Sequence, residues 1–476
     1  MAVFLFQLES RFQMDETPVR RYRRILIAIL ILSFLLRVFL VLSGGQYFFP
    51  DEARYEKSRA AADALWSGDM YGCLSALHSS DHFLFKVIGL VPATMQIIFA
   101  PSPKIPALFF SLFSVASLWL MWGIVRRMGE NERVALFAVS LLALCSTFLY
   151  YSRHLLPYDT AMAFGLLAVF VGLKSPLSTV DSIRCGLFSS CAFLTYNGYW
   201  VLAGFAMLTH TLRPPLTPGH CLRRALISGL SFAVPLVAIL SVSGTIASAG
   251  GNLFQQFLTF SGTVTQGSYS EGWNLPFCFL WHSEHFLILL WAAALIYSLR
   301  EYVLGSRKEA MIFGLFGILF IYGILVVFSV VLEKFVVSGR LVRQIVPFFC
   351  ILAALFLERL WTSAPKRKSL VIVVLVAVVF QASVNFLQPF TQVFPLEFRQ
   401  LAAEASVPTG TGEYEVLFAC YIYPEPLPVK VTGKTIIQER HPLQFLPYQY
   451  EGFTPDQRSK LRSMDISMRL VLTTKQ

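Results

Sequence analysis

Long apolar runs recur along this sequence and constrain its fold more than any other feature. Between Ile25 and Leu387 they return again and again, each near the roughly 20 residues that cross a bilayer core as a helix. Charged residues make up only 14% of the 476 residues, whereas soluble domains carry about 25%. The mean hydropathy is +0.61. We therefore expect an all-α integral membrane protein that crosses the bilayer many times.

The candidate spans follow from these runs. They are Ile25–Ser43, Ile105–Val125, Val134–Tyr151, Tyr158–Leu173, Gly186–Leu212, Leu222–Gly244, Phe286–Leu299, Met311–Leu332, Gln344–Trp361 and Leu370–Leu387. Gly186–Leu212 is too long for one span and is predicted to divide at Asn197-Gly198. Phe83–Ala100 contains Lys86 and Pro92, and we expect it to be an outer re-entrant or interfacial segment. This gives about eleven spans with outer juxtamembrane helices.

Basic residues set the expected orientation, because short cytoplasmic loops are rich in Lys and Arg. With an inner N-terminus, 19 basic residues fall on the inner side and nine in the outer loops. Five arginines precede the first span without a small-residue cleavage site, so residues 1–24 are predicted to remain as a cytoplasmic tail. The protein is expected in a bacterial plasma membrane, with its C-terminus outside.

The remaining domains are defined by changes in composition. The transmembrane domain covers residues 25–387, with outer loops at 44–104 and 245–285. Residues 388–476 hold nine acidic and nine basic residues and two β-like runs, Glu415–Ile422 and Met468–Thr473. A small extracytoplasmic α/β domain is expected there.

Charge and cysteine usage exclude other classes. The net charge of +11 belongs to the membrane part, and no soluble basic cluster is interleaved with aromatic residues, so nucleic acid is not an expected partner. The eight cysteines have no CxxC or Cys/His spacing of the kind that binds zinc.

Polar groups beside membrane spans are candidates for function because they are costly to place there. The first group is Phe49-Pro50-Asp51-Glu52-Ala53-Arg54-Tyr55, whose plain alternative is a helix start with acids in its first turn. The second is Tyr151-Ser152-Arg153-His154-Leu155-Leu156-Pro157-Tyr158-Asp159, in which Asp159 could have a purely structural partner.

Two further groups carry basic residues on the predicted outer side. They are Ser80-Asp81-His82-Phe83-Leu84-Phe85-Lys86 and the segment from Glu333-Lys334 to Arg340-Leu341-Val342-Arg343. Arg and Lys are usual partners of phosphate, while contact with lipid headgroups is the alternative. Together the four groups place acids and cations at one membrane face, beside helices able to hold a long lipid.

At this point the sequence resembles a known family. The Pro-Asp-Glu-x-Arg-Tyr segment is similar to the first acidic motif of GT-C glycosyltransferases, in the branch of protein O-mannosyltransferase-like enzymes and the aminoarabinose transferase that modifies lipid A. The resemblance continues through Asp81-His82, Lys86, Arg126-Arg127 and the Arg153–Asp159 segment. It is weaker at Phe193-Leu194-Thr195 and Arg343-Gln344-Ile345-Val346-Pro347. The chain departs from the family at Phe83-Leu84, where relatives often have Pro-Pro, and at Tyr196, where some have lysine.

The resemblance implies an enzyme that transfers a sugar from a polyprenyl-phosphate donor to a lipid, glycan or protein acceptor at the outer face. It implies that Asp51 is the general base, with Glu52 as its neighbour or as a metal ligand. It also implies that Asp159 orients Arg54 or completes a metal site, with His154 nearby. The residues implied in binding substrate or phosphate are Arg54, Tyr55, Lys86, Arg153, His154 and Arg343. A divalent metal ion is a further expectation, with Asp51, Asp159 and His82 as candidate ligands.

Two other functions stay open at the level of sequence. One is a transporter or flippase of a lipid-linked or anionic solute, since acids and arginines in membranes also serve ion relays. Transporters need polar groups near the bilayer midplane, whereas the spans are nearly free of ionisable residues apart from Arg37. The other is a scaffold in which the acids only cap helices.

Overall fold

The computed structural model describes most of the transmembrane domain and little of the rest. The described residues are 18–42, 52, 54–78, 82–99, 102–174, 178–246, 273–284, 286–306, 308–332, 339–388, 436–437 and 467–468.

Helices account for nearly all of these residues. The first ten are α1 Pro18–Leu42, α2 Arg54–Trp66, α3 Met70–Leu77, α4 Phe83–Ile98, α5 Lys104–Arg127, α6 Glu132–Leu144, α7 Ser146–Tyr151, α8 Tyr158–Gly172, α9 Thr179–Thr195 and α10 Trp200–Thr211. The others are α11 Pro218–Ile246, α12 Leu275–Glu284, α13 Phe286–Val303, α14 Glu309–Val326, α15 Gly339–Val342, α16 Val346–Ser363 and α17 Pro365–Gln388.

Within the described residues, six helices are long and apolar enough to cross a membrane. They lie in Arg20–Leu42, Lys104–Arg127, Pro218–Ser241, Phe286–Val303, Glu309–Val326 and Arg343–Ser363. Each of the other predicted spans also corresponds to helical structure, in α6 with α7, α8, α9, α10 and α17. The chain is an integral membrane protein. The count of eleven spans stays a prediction, because α8 has 15 residues and α10 has 12.

Two predicted boundaries can be compared with the helices. The break at Asn197-Gly198 is confirmed, because α9 ends at Thr195 and a 3-10 turn, Asn197–Tyr199, precedes α10. The segment Phe83–Ala100 forms the 16-residue helix α4, which is about 24 Å long at 1.5 Å per residue and shorter than a hydrocarbon core.

The predicted span Val134–Tyr151 is wrong as a single helix. Cys145 has φ −62° and ψ 129°, an extended conformation that ends α6 and lets α7 begin at Ser146. A distant residue contacts the chain at this break: the Glu284 carboxylate accepts hydrogen bonds from the backbone N–H groups of Ser146 and Thr147, both at 2.8 Å. The uncovered N–H groups at the start of a helix need such acceptors.

Helix α16 lies at the centre of the packing, against α6, α13 and α14. Its first ten residues are buried. The approach of α14 to α16 is close, because a Cβ on Gly317 would lie 2.3 Å from the Phe348 ring. Glycine at this position is therefore required by packing, and α16 is held in a fixed place between its neighbours.

The bundle has two chemically different ends. The arginine-rich end joins α5 to α6 through the ion pair Arg126–Glu132 at 3.1 Å, α6 to α16 through Arg133–Glu358 at 3.2 Å, and the segment after α10 to α14 through Arg213–Glu309. At the opposite end, the Asp159 end, the N-termini of α8 and α16 meet the C-terminus of α7. The sequence prediction that the basic loops share one side agrees with these contacts.

Several predicted regions lie outside the described residues. They include residues 1–17, most of the loop 245–285, and the 388–476 domain apart from two short strands. Strands β1 Ile436–Ile437 and β2 Ser467–Met468 pair antiparallel, with Ile436 opposite Met468. The division into three domains stays a prediction.

Candidate active site

A buried ion pair lies at the centre of the Asp159 end. Asp159 is in the first turn of α8, and Arg343 is in the 3-10 turn that precedes α16. Arg343 Nη2 donates to Asp159 Oδ1 at 2.5 Å, with both residues buried. The guanidinium also lies over the rings of Phe148 and Tyr151, 4.6 and 5.1 Å from their centroids. These contacts hold Arg343 in one orientation.

The turn that carries Arg343 is fixed by its neighbour Gln344. Gln344 Nε2 donates to the carbonyl oxygen of Gly198 at 3.1 Å, and its Oε1 accepts from Leu202 N–H at 3.1 Å. Pro347 stands at the start of α16, where its fixed φ suits helix initiation. The sequence Arg343-Gln344-x-x-Pro347 therefore joins the beginnings of α10 and α16 at the site.

A second buried pair joins the first acidic motif to the second. The Glu52 side chain accepts from Leu155 N–H at 2.7 Å, and its Oε1 lies 3.0 Å from His154 Nδ1. Arg153 Nε donates to His154 Nε2 at 3.4 Å, so Nδ1 carries the proton that His154 donates to Glu52. Glu52, Arg153 and His154 are all buried. The two motifs that the sequence analysis placed on one face are thus in direct contact.

Aromatic rings connect these two pairs. The ring centroid of Tyr150 lies 5.0 Å from that of His154 and 5.1 Å from that of Tyr151. Tyr151 in turn packs edge-on to Tyr158 at 5.2 Å and lies under Arg343. The Glu52–His154 and Asp159–Arg343 pairs therefore belong to one continuous cluster, which we call the Asp159 cluster.

Burial sets the protonation of the loop residues in this cluster. Burial lowers the pKa of His154, although the nearby Glu52 carboxylate acts in the opposite direction. Burial also lowers the pKa of Arg153 to about 10. A neutral His154 is consistent with its role as acceptor from Arg153 and donor to Glu52.

The Asp159 cluster has polar atoms left over. Within the described residues, Arg343 Nε and Nη1 and Asp159 Oδ2 are buried without a hydrogen-bond partner. Arg37 of α1, fully buried, donates to Ser114 Oγ and to the Ser33 carbonyl oxygen, both at 3.0 Å. Its Nη2 has no hydrogen-bond partner in the part of the chain that the structure describes. Arg37 is near enough for the charges of Asp159 and Arg343 to act on it. Buried N–H groups without acceptors are costly.

The other predicted site residues have different surroundings. Arg54 begins α2 and is half-buried, while Lys86 is buried in the first turn of α4. Tyr55 donates to Gln96 Oε1 at 2.8 Å and lies edge-on to Phe110. Its contacts therefore join α2 to α4 and α5. Asp51, the predicted base, lies outside the described residues, as do Asp81, Glu333 and Lys334.

The metal prediction is not tested by these side chains. In the parts of the chain that the structure covers, no group of three or more His, Cys, Asp or Glu side chains is arranged to hold a metal ion. His82 precedes α4 in a left-handed conformation, φ 53°, and its ring lies 5.1 Å from that of Tyr196. The Asp159 carboxylate is engaged by Arg343, and Asp51 is not among the described residues.

Sequence reasoning missed several residues of the cluster. They include the rings of Tyr150, Tyr158 and Tyr196, and the Tyr196 ring lies 4.9 Å from that of Tyr158 and 5.1 Å from that of His82, centroid to centroid. Arg37 was visible as the only arginine inside the first apolar run, a position that is itself a functional signal. Glu284 gave no local signal, because its partners Ser146 and Thr147 are more than 130 residues away.

Comparison with known proteins gives structural matches only. No protein-family model matches the sequence, and a comparison with curated proteins gives no match. The crystal structure of ArnT from Cupriavidus metallidurans bound to undecaprenyl phosphate matches with a TM-score of 0.53, at 15% identity over 79% of this chain and 68% of that one. ArnT in the apo state matches with a TM-score of 0.53, at 13% identity over 94% and 92% of the two chains.

ArnT is a GT-C glycosyltransferase. At such low sequence identity the match supports a shared fold and nothing more. The sequence motifs around Asp51 and Asp159 led to the same fold independently. This protein is a polytopic membrane protein with the GT-C fold.

Proposed function

We propose that the protein is a membrane glycosyltransferase, which moves a sugar from a polyprenyl-phosphate donor to a lipid, glycan or protein acceptor. The observation that supports this most directly is the Asp159 cluster itself. It combines a buried carboxylate with guanidinium groups whose remaining N–H groups have no acceptor among the described residues. The bound undecaprenyl phosphate of the ArnT structure is a ligand of the expected chemical class.

The reaction needs two kinds of group. A base takes the proton of the acceptor nucleophile as that nucleophile forms a bond to the anomeric carbon of the sugar. Cations stabilise the negative charge that develops on the polyprenyl phosphate as the bond from that carbon to the phosphate oxygen breaks. Asp51 is our candidate for the base, with Glu52 and His154 fixing the segment that carries it.

The cations are assigned by position. Arg343 has two nitrogen groups available beyond its bond to Asp159, so it can bind phosphate while Asp159 keeps it oriented. Arg54, Lys86 and Arg153 are further candidates from the motif. A divalent metal ion, if one binds, would be held by Asp51, Asp159 and His82 and would add positive charge beside the phosphate.

The orientation is part of the proposal. The basic loops gather at the arginine-rich end, and short cytoplasmic loops are the ones enriched in Arg and Lys. The Asp159 end would then face the extracytoplasmic side, where we expect the donor and acceptor to meet. The transporter alternative is less favoured, because the buried ionisable cluster lies at one end of the helices.

The decisive experiment is sugar transfer from a synthetic polyprenyl-phosphate sugar by the purified full-length protein. Asp51→Asn and Asp159→Asn should each lower turnover by about 10²–10⁴-fold, the usual contribution of a positioned base or its electrostatic partner. Asp181→Asn, at the arginine-rich end, is the matched control and should keep wild-type turnover. Wild-type turnover in both site variants would refute the assignment.

A further inference from the structure

One buried carboxylate lies outside the Asp159 cluster and has no part in the proposed chemistry. Glu284 ends α12, and its side chain is fully buried. It accepts three hydrogen bonds at 2.8 Å, from Ser146 N–H, Thr147 N–H and Thr147 Oγ1. A carboxylate placed in this way satisfies the first N–H groups of α7 and complements the positive end of the helix dipole.

The cap decides where α7 starts. Without an acceptor at this point, the apolar sequence around Cys145 would favour one continuous helix, as the hydropathy pattern predicted. The extended conformation of Cys145, ψ 129°, separates α6 from α7, and it places the Ser146 and Thr147 N–H groups toward Glu284. The direction of α7 is therefore set by a side chain from another helix.

Helix α7 carries the surface on which Arg343 rests. Phe148 and Tyr151 lie under its guanidinium, and Arg153 and His154 follow α7 within three residues. A shift of α7 would move Arg343 relative to Asp159, and His154 relative to Glu52. The distances in both pairs depend on this short helix of six residues.

Glu284 is itself held in place. Gln381 of α17 donates through Nε2 to the Glu284 carbonyl oxygen, and its Oε1 accepts from Leu287 N–H at 3.2 Å. Gln381 thus spans the junction between α12 and α13. At the other end of α12, Tyr322 of α14 donates to the Trp273 carbonyl oxygen at 3.0 Å. Helix α12 is therefore anchored to α14 and α17 before it reaches α7.

We infer that Glu284 is a positioning residue for the proposed transfer reaction: by capping α7 it fixes Arg343 and His154 in the arrangement that the reaction requires. This inference rests on the proposed function for its kinetic consequence but on the hydrogen bonds alone for its structural one. Glu284 touches neither pair directly and acts through α7.

The structural part is tested without any substrate. Hydrogen–deuterium exchange of the purified full-length protein should show faster exchange across residues 146–155 in Glu284→Ala than in the wild type. In Asp181→Asn the change should be confined to the start of α9, because Asp181 caps that helix at the arginine-rich end. Unchanged exchange over residues 146–155 in Glu284→Ala would overturn the inference, whether or not the protein is a transferase.

The kinetic part uses the same variants. Glu284→Ala should lower kcat by roughly 10- to 100-fold, the scale expected from small misplacements of catalytic groups, with a small change in donor KM. Glu284→Gln retains one acceptor oxygen and should recover part of kcat, while Asp181→Asn should keep wild-type kcat. Equal kcat in Glu284→Ala and wild type would also overturn the inference. Failure of the proposed function is recognised separately, as absence of transfer by the wild type itself.

Discussion

The two ends of the bundle hold their charged side chains in different ways. At the arginine-rich end, the ion pairs Arg133–Glu358 and Lys174–Asp181 keep at least one partner exposed to solvent, with side-chain exposures of 33% for Arg133 and 47% for Lys174. At the Asp159 end, the Arg343–Asp159 pair is buried on both sides, with exposures of 0% and 4%. The pairs at the arginine-rich end therefore have a low desolvation cost, whereas the pair at the Asp159 end is removed from water.

The two ends also differ in how many polar atoms of their charged side chains have hydrogen-bond partners. Asp181 takes part in a complete capping box with Ser178, so its carboxylate is used within the chain. Arg343 and Asp159 keep buried atoms without partners in the described residues. Buried polar groups that lack hydrogen-bond partners contribute little to the stability of a fold. For this reason we assign the unpartnered atoms of Arg343 and Asp159 a role in binding substrate.

Removing Arg343 should give the largest effect and test this contrast directly. Arg343→Met leaves the Asp159 carboxylate buried without its counter-charge, which costs about 3–5 kcal/mol. Arg133→Met breaks a partly exposed pair worth about 0–1 kcal/mol. Unfolding in detergent, followed by circular dichroism, would measure both. The contrast would be broken by equal losses in the two variants.

A double variant separates stability from activity at the same place. Arg343→Met combined with Asp159→Asn removes both charges, so part of the lost stability should return. Transfer activity should not return, because the proposed phosphate-binding cation and its carboxylate are both gone. Recovery of activity in the double variant would exclude both residues from the chemistry.

The two capping carboxylates offer the next test, since their pKa values move in opposite directions. Burial raises the pKa of Glu284 from 4.5 to about 7. Burial also acts to raise the pKa of Asp181, but hydrogen bonds from Ser178 and the charge of Lys174 outweigh it and lower the pKa. Both residues cap helices, so the difference reflects surroundings rather than role.

The pH dependence of stability should differ accordingly. For Glu284, the folded protein holds a proton between pH 4.5 and 7 that the unfolded chain releases, so wild-type stability should decline over this window as the pH rises, by an amount on the order of 3 kcal/mol. Glu284→Gln should lack this decline. Asp181 stabilises the fold above pH 3.8 and loses that contribution as the pH falls below it, so Asp181→Asn should flatten the acid side of the curve instead.

The sequence predicted the helices better than it predicted the contacts between them. Hydropathy located every described membrane helix, because a run of apolar residues is a local property. The Asn197-Gly198 break was also local and was predicted. The break at Cys145 was missed, because the hydrogen bonds found there are not local: Glu284 is 138 residues from Ser146.

The site shows the same limit. The acidic and basic motifs were assigned to one membrane face from charge distribution and resemblance, and four of their residues do meet, in the pairs Glu52–His154 and Asp159–Arg343. The partners within each pair were not predicted, since Asp159 and Arg343 are 184 residues apart. Tyr55 was grouped with the substrate-binding residues because of its place in the motif, while its side chain contacts Gln96 and Phe110.

Replacing Arg37 should give the smallest change in stability, and it should distinguish most clearly between the roles of charged residues at the two ends of the bundle. It is a fully buried arginine inside a membrane helix, and it is near enough for the charges of Asp159 and Arg343 to act on it. Burying a charge that is not fully paired and hydrogen-bonded is costly, so replacing Arg37 with an apolar side chain of similar length should remove that cost. Arg37→Met should therefore unfold at the wild-type temperature or above it.

Arg37→Met should also respond less to the lipid phosphate. Polyprenyl phosphate should raise the unfolding temperature of the wild type, because a ligand that binds only the folded state stabilises it. Arg37→Met should show a smaller rise, and Arg133→Met, at the other end, the full one. In the contrary outcome, Arg37→Met loses as much stability as Arg343→Met and keeps the full response to the lipid phosphate. That result would show that Arg37 stabilises the fold and does not bind the ligand. The expected pattern, stability retained and ligand response reduced, would mean that the Asp159 end keeps a charge that the fold alone does not need.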